Sequence, residues 1–297
     1  MADKDAGRKS VKKSADTKQA RPKLPKTKIK VTPRRGWTLV PKLILMMIWV
    51  GVAVIASQLI VGYLLLWILG QETFLQPVWT AVYSALSYVL AMIVVIFVPP
   101  KVSVAWKIVN EKKDGKKTVN GEVTPRAASR ETLGLKGWPT WTDIGLAPVG
   151  FIVYVILAAI LTATFFGVFS QLDASQAQDV GFDTFITGFD RVLAFITLVV
   201  MAPIAEEIIF RGWLYGKMRE KLSEKVSNVA GMVISILLVS LLFGLVHMQW
   251  NVGVNVFALS VVLCGLREIT GTIYAGILLH MLKNGIAFYM LYVLGMV

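Results

Sequence analysis

Pro203-Ile-Ala-Glu-Glu-Ile-Ile-Phe-Arg-Gly-Trp213 sets two adjacent carboxylates and an arginine inside an otherwise apolar run. Ionisable groups at membrane depth are costly, so such a pair marks either function or tight pairing. On a helix Glu207 and Arg211 lie four apart and share a face, which lets the guanidinium neutralise that carboxylate. Glu206 points about 100° away around the same helix and is free to face a different cavity. A Glu–Arg pair can equally do no more than lock two helices together, so this stretch alone leaves both roles open.

The 297 residues are 56% hydrophobic and 16% charged, with a mean hydropathy of +0.65. That is too apolar for a soluble domain, and several runs are long enough to cross a bilayer. The expected fold class is all-α, a polytopic transmembrane helix bundle. The net charge of +13 sits mostly beside apolar runs, where topology accounts for it, and no nucleic-acid partner is expected. Cys264 is the single cysteine, which excludes a disulfide framework and a cysteine metal cluster. Residues 1–42 hold fourteen Lys/Arg against Asp3, Asp5 and Asp16. They read as a disordered, basic cytoplasmic tail able to lie on anionic lipid. So long a polar lead before the first apolar run is no signal peptide.

A transmembrane domain is expected over 43–297. Apolar runs at Leu43–Leu69, Val78–Val98, Ile144–Phe169, Arg191–Trp213, two between Val229 and Leu266, and Ile273–Leu294 make about seven spans. Pro99-Pro100 should close the second, because proline does not continue a helix. Residues 101–143, with nine Lys/Arg and Asn120-Gly121, read as a cytoplasmic loop, a plain linker in which Leu133–Gly137 is a candidate interfacial segment. The link 170–190 holds Asp173, Asp179, Asp183 and Asp190 and no base, whereas 214–228 holds Lys217, Arg219, Lys221 and Lys225. Bases thus fall on alternate links, which puts the amino terminus in the cytoplasm and the carboxyl terminus outside. The expected location is multi-pass integral membrane, the plasma (inner) membrane if the cell is bacterial.

Both histidines of the chain lie in or at the ends of apolar runs: His247 closes Phe243-Gly-Leu-Val-His247, and His280 opens His280-Met-Leu-Lys-Asn284. Asn284 follows His280 by one turn and offers an amide donor on the same face. Counting about 1.5 Å per residue places Glu206 and His280 at one depth but His247 about 27 Å from Val229, too far outward. The expectation is that residues up to about Ser235 lie along the interface and the span starts later. Lys283, in the last span, needs a partner, expected in Glu207, Glu268 or a substrate carboxylate.

Glu-Glu-x-x-x-Arg at 206–211, Phe-x-x-x-His at 243–247 and His-x-x-x-Asn at 280–284 occur in this order on successive apolar helices. The ordered set resembles the CPBP family of CAAX proteases and bacteriocin-processing enzymes, also called the Abi family, over roughly 189–297. The resemblance implies an intramembrane endopeptidase related to the type II CAAX prenyl endopeptidase, which trims the last three residues from prenylated proteins. By motif it implies Glu206 as the general base that activates water, His247 as the residue holding that water, and His280 with Asn284 as an oxyanion hole. Glu207, Arg211 and Phe243 would support the site. The chemistry is coherent on its own terms: peptide hydrolysis needs a positioned water, a base and donors aimed at the developing oxyanion.

No cofactor is required by that scheme. The alternative places Zn²⁺ between Glu206, His247 and His280 with water in the fourth position, as a metalloprotease would. Against it, His247 is followed by Met-Gln-Trp, so no His-Glu-x-x-His is present, and asparagine is a poor zinc ligand. Two readings come from other classes: a non-catalytic membrane immunity or scaffold protein, and a small transporter using Glu206 and Glu207 as a relay. The partners expected are a peptide or membrane-protein substrate and the lipid bilayer.

Overall fold

Along the first helix, α1 (Leu39–Leu69), the buried residues Leu43, Val50, Ala53, Ser57, Val61 and Leu65 form one stripe. Leu45, Ile48, Val52, Ile55 and Leu59 point outward and are each more than half exposed. A helix apolar on both faces has no side for water, so its outer face calls for lipid. The computed structural model describes residues 39–113, 130–172 and 188–295, side chains at 100–113 excepted.

Among these residues α1 is followed by α2 (Gln71–Phe74), α3 (Pro77–Lys113), α4 (Trp141–Val168) and α5 (Gly188–Phe195). The rod begun by α5 continues through a π-helical stretch Ile196–Met201, α6 (Ala202–Glu206), a second π-helical stretch Glu207–Tyr215 and α7 (Gly216–Ser223). Then come α8 (Asn228–Leu245), α9 (Trp250–Thr270) and α10 (Tyr274–Tyr292), and no strand occurs among the described residues. Six of these helical segments are long and apolar enough to cross a bilayer. At about 1.5 Å per residue, α10 is also long enough. His280, Lys283 and Asn284 lower its hydropathy, and it packs on α4 and α9 as the seventh member. The chain is an all-α transmembrane bundle.

Several expected boundaries are corrected. The basic tail lies outside the described residues except for its last four positions, 39–42, which already belong to α1. Residues 114–129 of the loop and 173–187 of the acidic link also lie outside. Helix α3 does not stop at Pro99-Pro100 but runs to Lys113. Proline's fixed φ is itself helical, so the two rings remove two donors without ending the backbone.

The far end of the 101–143 loop is more than a linker. Leu133 is buried, and the Gly134 carbonyl accepts from Ile273 N at 3.1 Å. The Arg267 guanidinium reaches the carbonyls of Gly271 and Thr132, and a Cβ on Gly134 would strike it. Helix α4 then starts on a capping box between Thr140 and Asp143, and Asp143 Oδ1 accepts from Thr272 at 3.1 Å. The segment therefore pins the turn between α9 and α10, which fixes where α10 enters the bundle.

The depth problem at His247 is resolved differently from the expectation. Helix α8 is continuous from Asn228, with no late start at Ser235. The motif rod instead extends past Lys217 to Ser223, because Arg219 forms an ion pair with Glu268 of α9 at 2.5 Å and donates to Asn228 at 2.8 Å. From Ser223 back to Glu206 is about 25 Å and from Asn228 out to His247 about 28 Å at the helical rise, so the antiparallel pair delivers both side chains to a similar level.

Helices α8 and α9 touch backbone to backbone at Gly244 and Gly253, the small-residue contact that lets membrane helices close on one another. A Cβ on Gly244 would lie 2.8 Å from the Gly253 carbonyl oxygen. Gly244→Ala should therefore push α9 away and cost about 1–3 kcal/mol, as overpacking does. Thermal unfolding in detergent would show it, and an unchanged melting temperature would refute this contact.

Candidate active site

The π-helical turns of the motif rod shape the site. In a π turn each N–H reaches five residues back, and Ala202 N indeed bonds Thr197 O. Next in that register, Pro203 has no N–H to offer the Leu198 carbonyl. That carbonyl takes Asn284 Nδ2 at 2.9 Å instead. One of the two N–H groups of Asn284 is thus spent on holding α10 against the rod, and the second remains for other work.

Glu207 is fully buried, and its Oε1 accepts from Arg211 Nη1 and from His280 Nδ1, each at 3.0 Å. Gly276 makes room for it, since a Cβ there would come 3.1 Å from Glu207 Oε2. A carboxylate only accepts, so Nδ1 is the nitrogen of His280 that carries hydrogen. His280 Nε2 then turns toward Glu206, 3.8 Å from Oε2. Glu206 keeps 17% of its side chain exposed, and its Oε1 accepts from Tyr88 Oη at 2.9 Å. The two adjacent carboxylates thus face different surroundings, Glu207 a buried cation and Glu206 a partly open space.

Phe243 sits between the parts. Its ring lies under the Arg211 guanidinium, 4.3 Å from Cζ to centroid, a cation–π contact. It meets the rings of His247 and His280 edge to face at 5.0 and 6.0 Å between centroids. His247 follows the end of α8, with Nδ1 bonded to the Phe243 carbonyl at 2.7 Å. Glu206, Glu207, Arg211, Phe243, His247 and His280 are therefore neighbours.

One expectation changes. Lys283 pairs with neither Glu207 nor Glu268, because arginines already hold both. Among the described residues it forms no ion pair within 4.0 Å. Sequence reasoning also missed Tyr88, whose only signal was a phenol in an apolar span, where a hydroxyl needs a partner. Among the described residues no group of three His, Cys, Asp or Glu is placed to share a metal ion.

Residues 187–286 match the family model described as Rce1-like, type II CAAX prenyl endopeptidase Rce1-like. No curated protein and no solved structure matches the chain. The matched segment, about a third of the chain, runs from the start of the motif rod into α10 and spans all three motifs. With its apolar helices, this makes the chain an integral, multi-pass membrane protein carrying a CAAX-protease-like peptidase domain. Residues 187–286 are therefore similar to an Rce1-like domain of the type II CAAX prenyl endopeptidase kind, and the resemblance to CAAX proteases drawn from the three motifs holds over that segment.

Proposed function

We propose that the chain is an intramembrane endopeptidase in which Glu206 activates a water for attack on a peptide bond. The observation that supports this best is His280, which touches both members of the carboxylate pair, Glu207 through Nδ1 and Glu206 from the side of Nε2. The attacking water is taken by Glu206 Oε2, the oxygen that lies 3.8 Å from His280 Nε2. Glu206 accepts the proton of this water as the hydroxide equivalent attacks the carbonyl carbon, and then delivers it to the leaving amine. With Nδ1 committed to Glu207, His280 can donate to the oxyanion only when Nε2 also carries hydrogen. The second N–H of Asn284 completes that donor set, and His247 steadies the water from the α8 side.

An apolar cavity of about 460 Å³ opens beside the His247 turn, lined by Gly244, Met248, Trp250 and Phe257 among others. It suits the apolar part of a membrane peptide or of a lipid-modified carboxyl terminus. The amino terminus faces the cytoplasm in this reading, and in a bacterial cell the host bilayer is the inner membrane. Two comparisons test the proposal. Proteomes of cells making the native protein and Glu206→Ala should differ by a membrane peptide that persists uncut with the variant; identical peptide profiles would overturn the reading. Cleavage of that peptide by purified protein should be unchanged by a chelator, and a loss restored by Zn²⁺ would instead favour the metalloprotease alternative with Glu206, His247 and His280.

A further inference from the structure

The bond from Tyr88 to Glu206 joins two helices 118 residues apart in sequence, and Tyr88 belongs to α3, outside the matched segment 187–286. We propose that Tyr88 is a positioning residue for Glu206, so that α3 completes a reaction centre otherwise built from the Rce1-like domain. The inference rests on the peptidase reading above and adds to it a residue that no motif of that domain supplies.

Three observations carry it. Tyr88 Oη donates to Glu206 Oε1 at 2.9 Å, while Oε2 is the oxygen turned toward His280 Nε2. Each carboxylate oxygen therefore has a separate task, and pinning Oε1 stops the group from rotating about its terminal torsion, which is otherwise broad and two-fold. No cation holds Glu206 in place of the phenol, since Arg211 is spent on Glu207 and no Lys or Arg among the described residues lies within 4.0 Å of Glu206. Finally, α3 packs along α6 and the second π stretch, so the phenol reaches Glu206 from a helix whose contact does not depend on the hydroxyl.

A neighbouring phenol provides the control. Tyr83 lies on the same helix and packs its ring on Phe74, with centroids 5.8 Å apart. If Tyr88 merely fills space, Phe at either position should behave alike.

The test uses the purified full-length protein in vesicles and the membrane peptide identified from cells. Tyr88→Phe should lower kcat by about ten- to a hundredfold, the cost of losing a hydrogen bond to a charged group and with it the base's aim. KM should stay within about twofold and the melting temperature within about 2 °C, because the ring and its packing remain. Tyr83→Phe should leave both constants unchanged. A Tyr88→Phe enzyme with native kcat overturns the inference, and so does a loss of kcat shared equally by Tyr83→Phe and matched by a fall in melting temperature. If Glu206→Gln cuts the peptide as fast as the native protein, the peptidase mechanism itself fails. If Glu206→Gln is inactive while Tyr88→Phe is normal, only the role of Tyr88 fails.

Discussion

Glu206→Gln should abolish cleavage while leaving the fold intact. The amide keeps the shape of the side chain, and its carbonyl can still accept from Tyr88, which now holds Oε1 at 2.9 Å. What is lost is the acceptor for the water's proton beside His280 Nε2. A positioned general base is worth about 10²–10⁴ in rate, and here the same group must also hand the proton to the leaving amine, so the fall should lie at the upper end of that range. Stability should scarcely move, because Glu206 is partly exposed and holds no arginine. The measurement is turnover of an identified membrane peptide alongside thermal unfolding. Turnover within tenfold of native, in a protein that melts normally, would remove Glu206 from the reaction.

That experiment also separates what the sequence reveals from what only the fold supplies. The spans were legible because lipid leaves a crossing segment no polar face, as the outward Ile48, Val52 and Ile55 of α1 show. Their ends were less so. Arg219 and Glu268 read as loop charges, yet they pair with one another and extend the rods that carry them, and Pro99-Pro100 reads as a stop that α3 ignores. Within the site, Glu207 and Arg211 announced themselves by helical spacing, and the two histidines by their rarity in an apolar chain. The π turns on either side of Glu206 left no such mark. The first is tied to α10 by a carbonyl freed by Pro203 and an amide arriving from Asn284, a coincidence of residues 198, 203 and 284. Tyr88 was invisible for the same reason, since its meaning depends wholly on which helix lies opposite.

Removing Arg211 should damage the fold more than any other single change in the site. Its guanidinium is fully buried, bonds Glu207 at 3.0 Å and lies 4.3 Å over Phe243. Two of its nitrogens, Nε and Nη2, have no hydrogen-bond partner among the described residues, so the pair is held there by one strong hydrogen bond and a stack rather than by a saturated network. Arg211→Met would leave Glu207 as a buried carboxylate with His280 alone beside it. Stranding one member of such a pair costs about 3–5 kcal/mol, a large share of the roughly 5–15 kcal/mol that keeps a domain folded. At about 2–4 °C per kcal/mol for a chain of this order, melting in detergent should fall by about 6–20 °C. The double variant Glu207→Gln/Arg211→Met should melt higher than Arg211→Met alone, because no unpaired charge is left inside and the glutamine carbonyl can still accept from His280 Nδ1. It should nonetheless cut slowly, since a neutral amide holds the imidazole less firmly than a carboxylate does. A double variant no more stable than the single one would show that charge pairing does not hold this part of the bundle, and that Arg211 acts through its packing on Phe243.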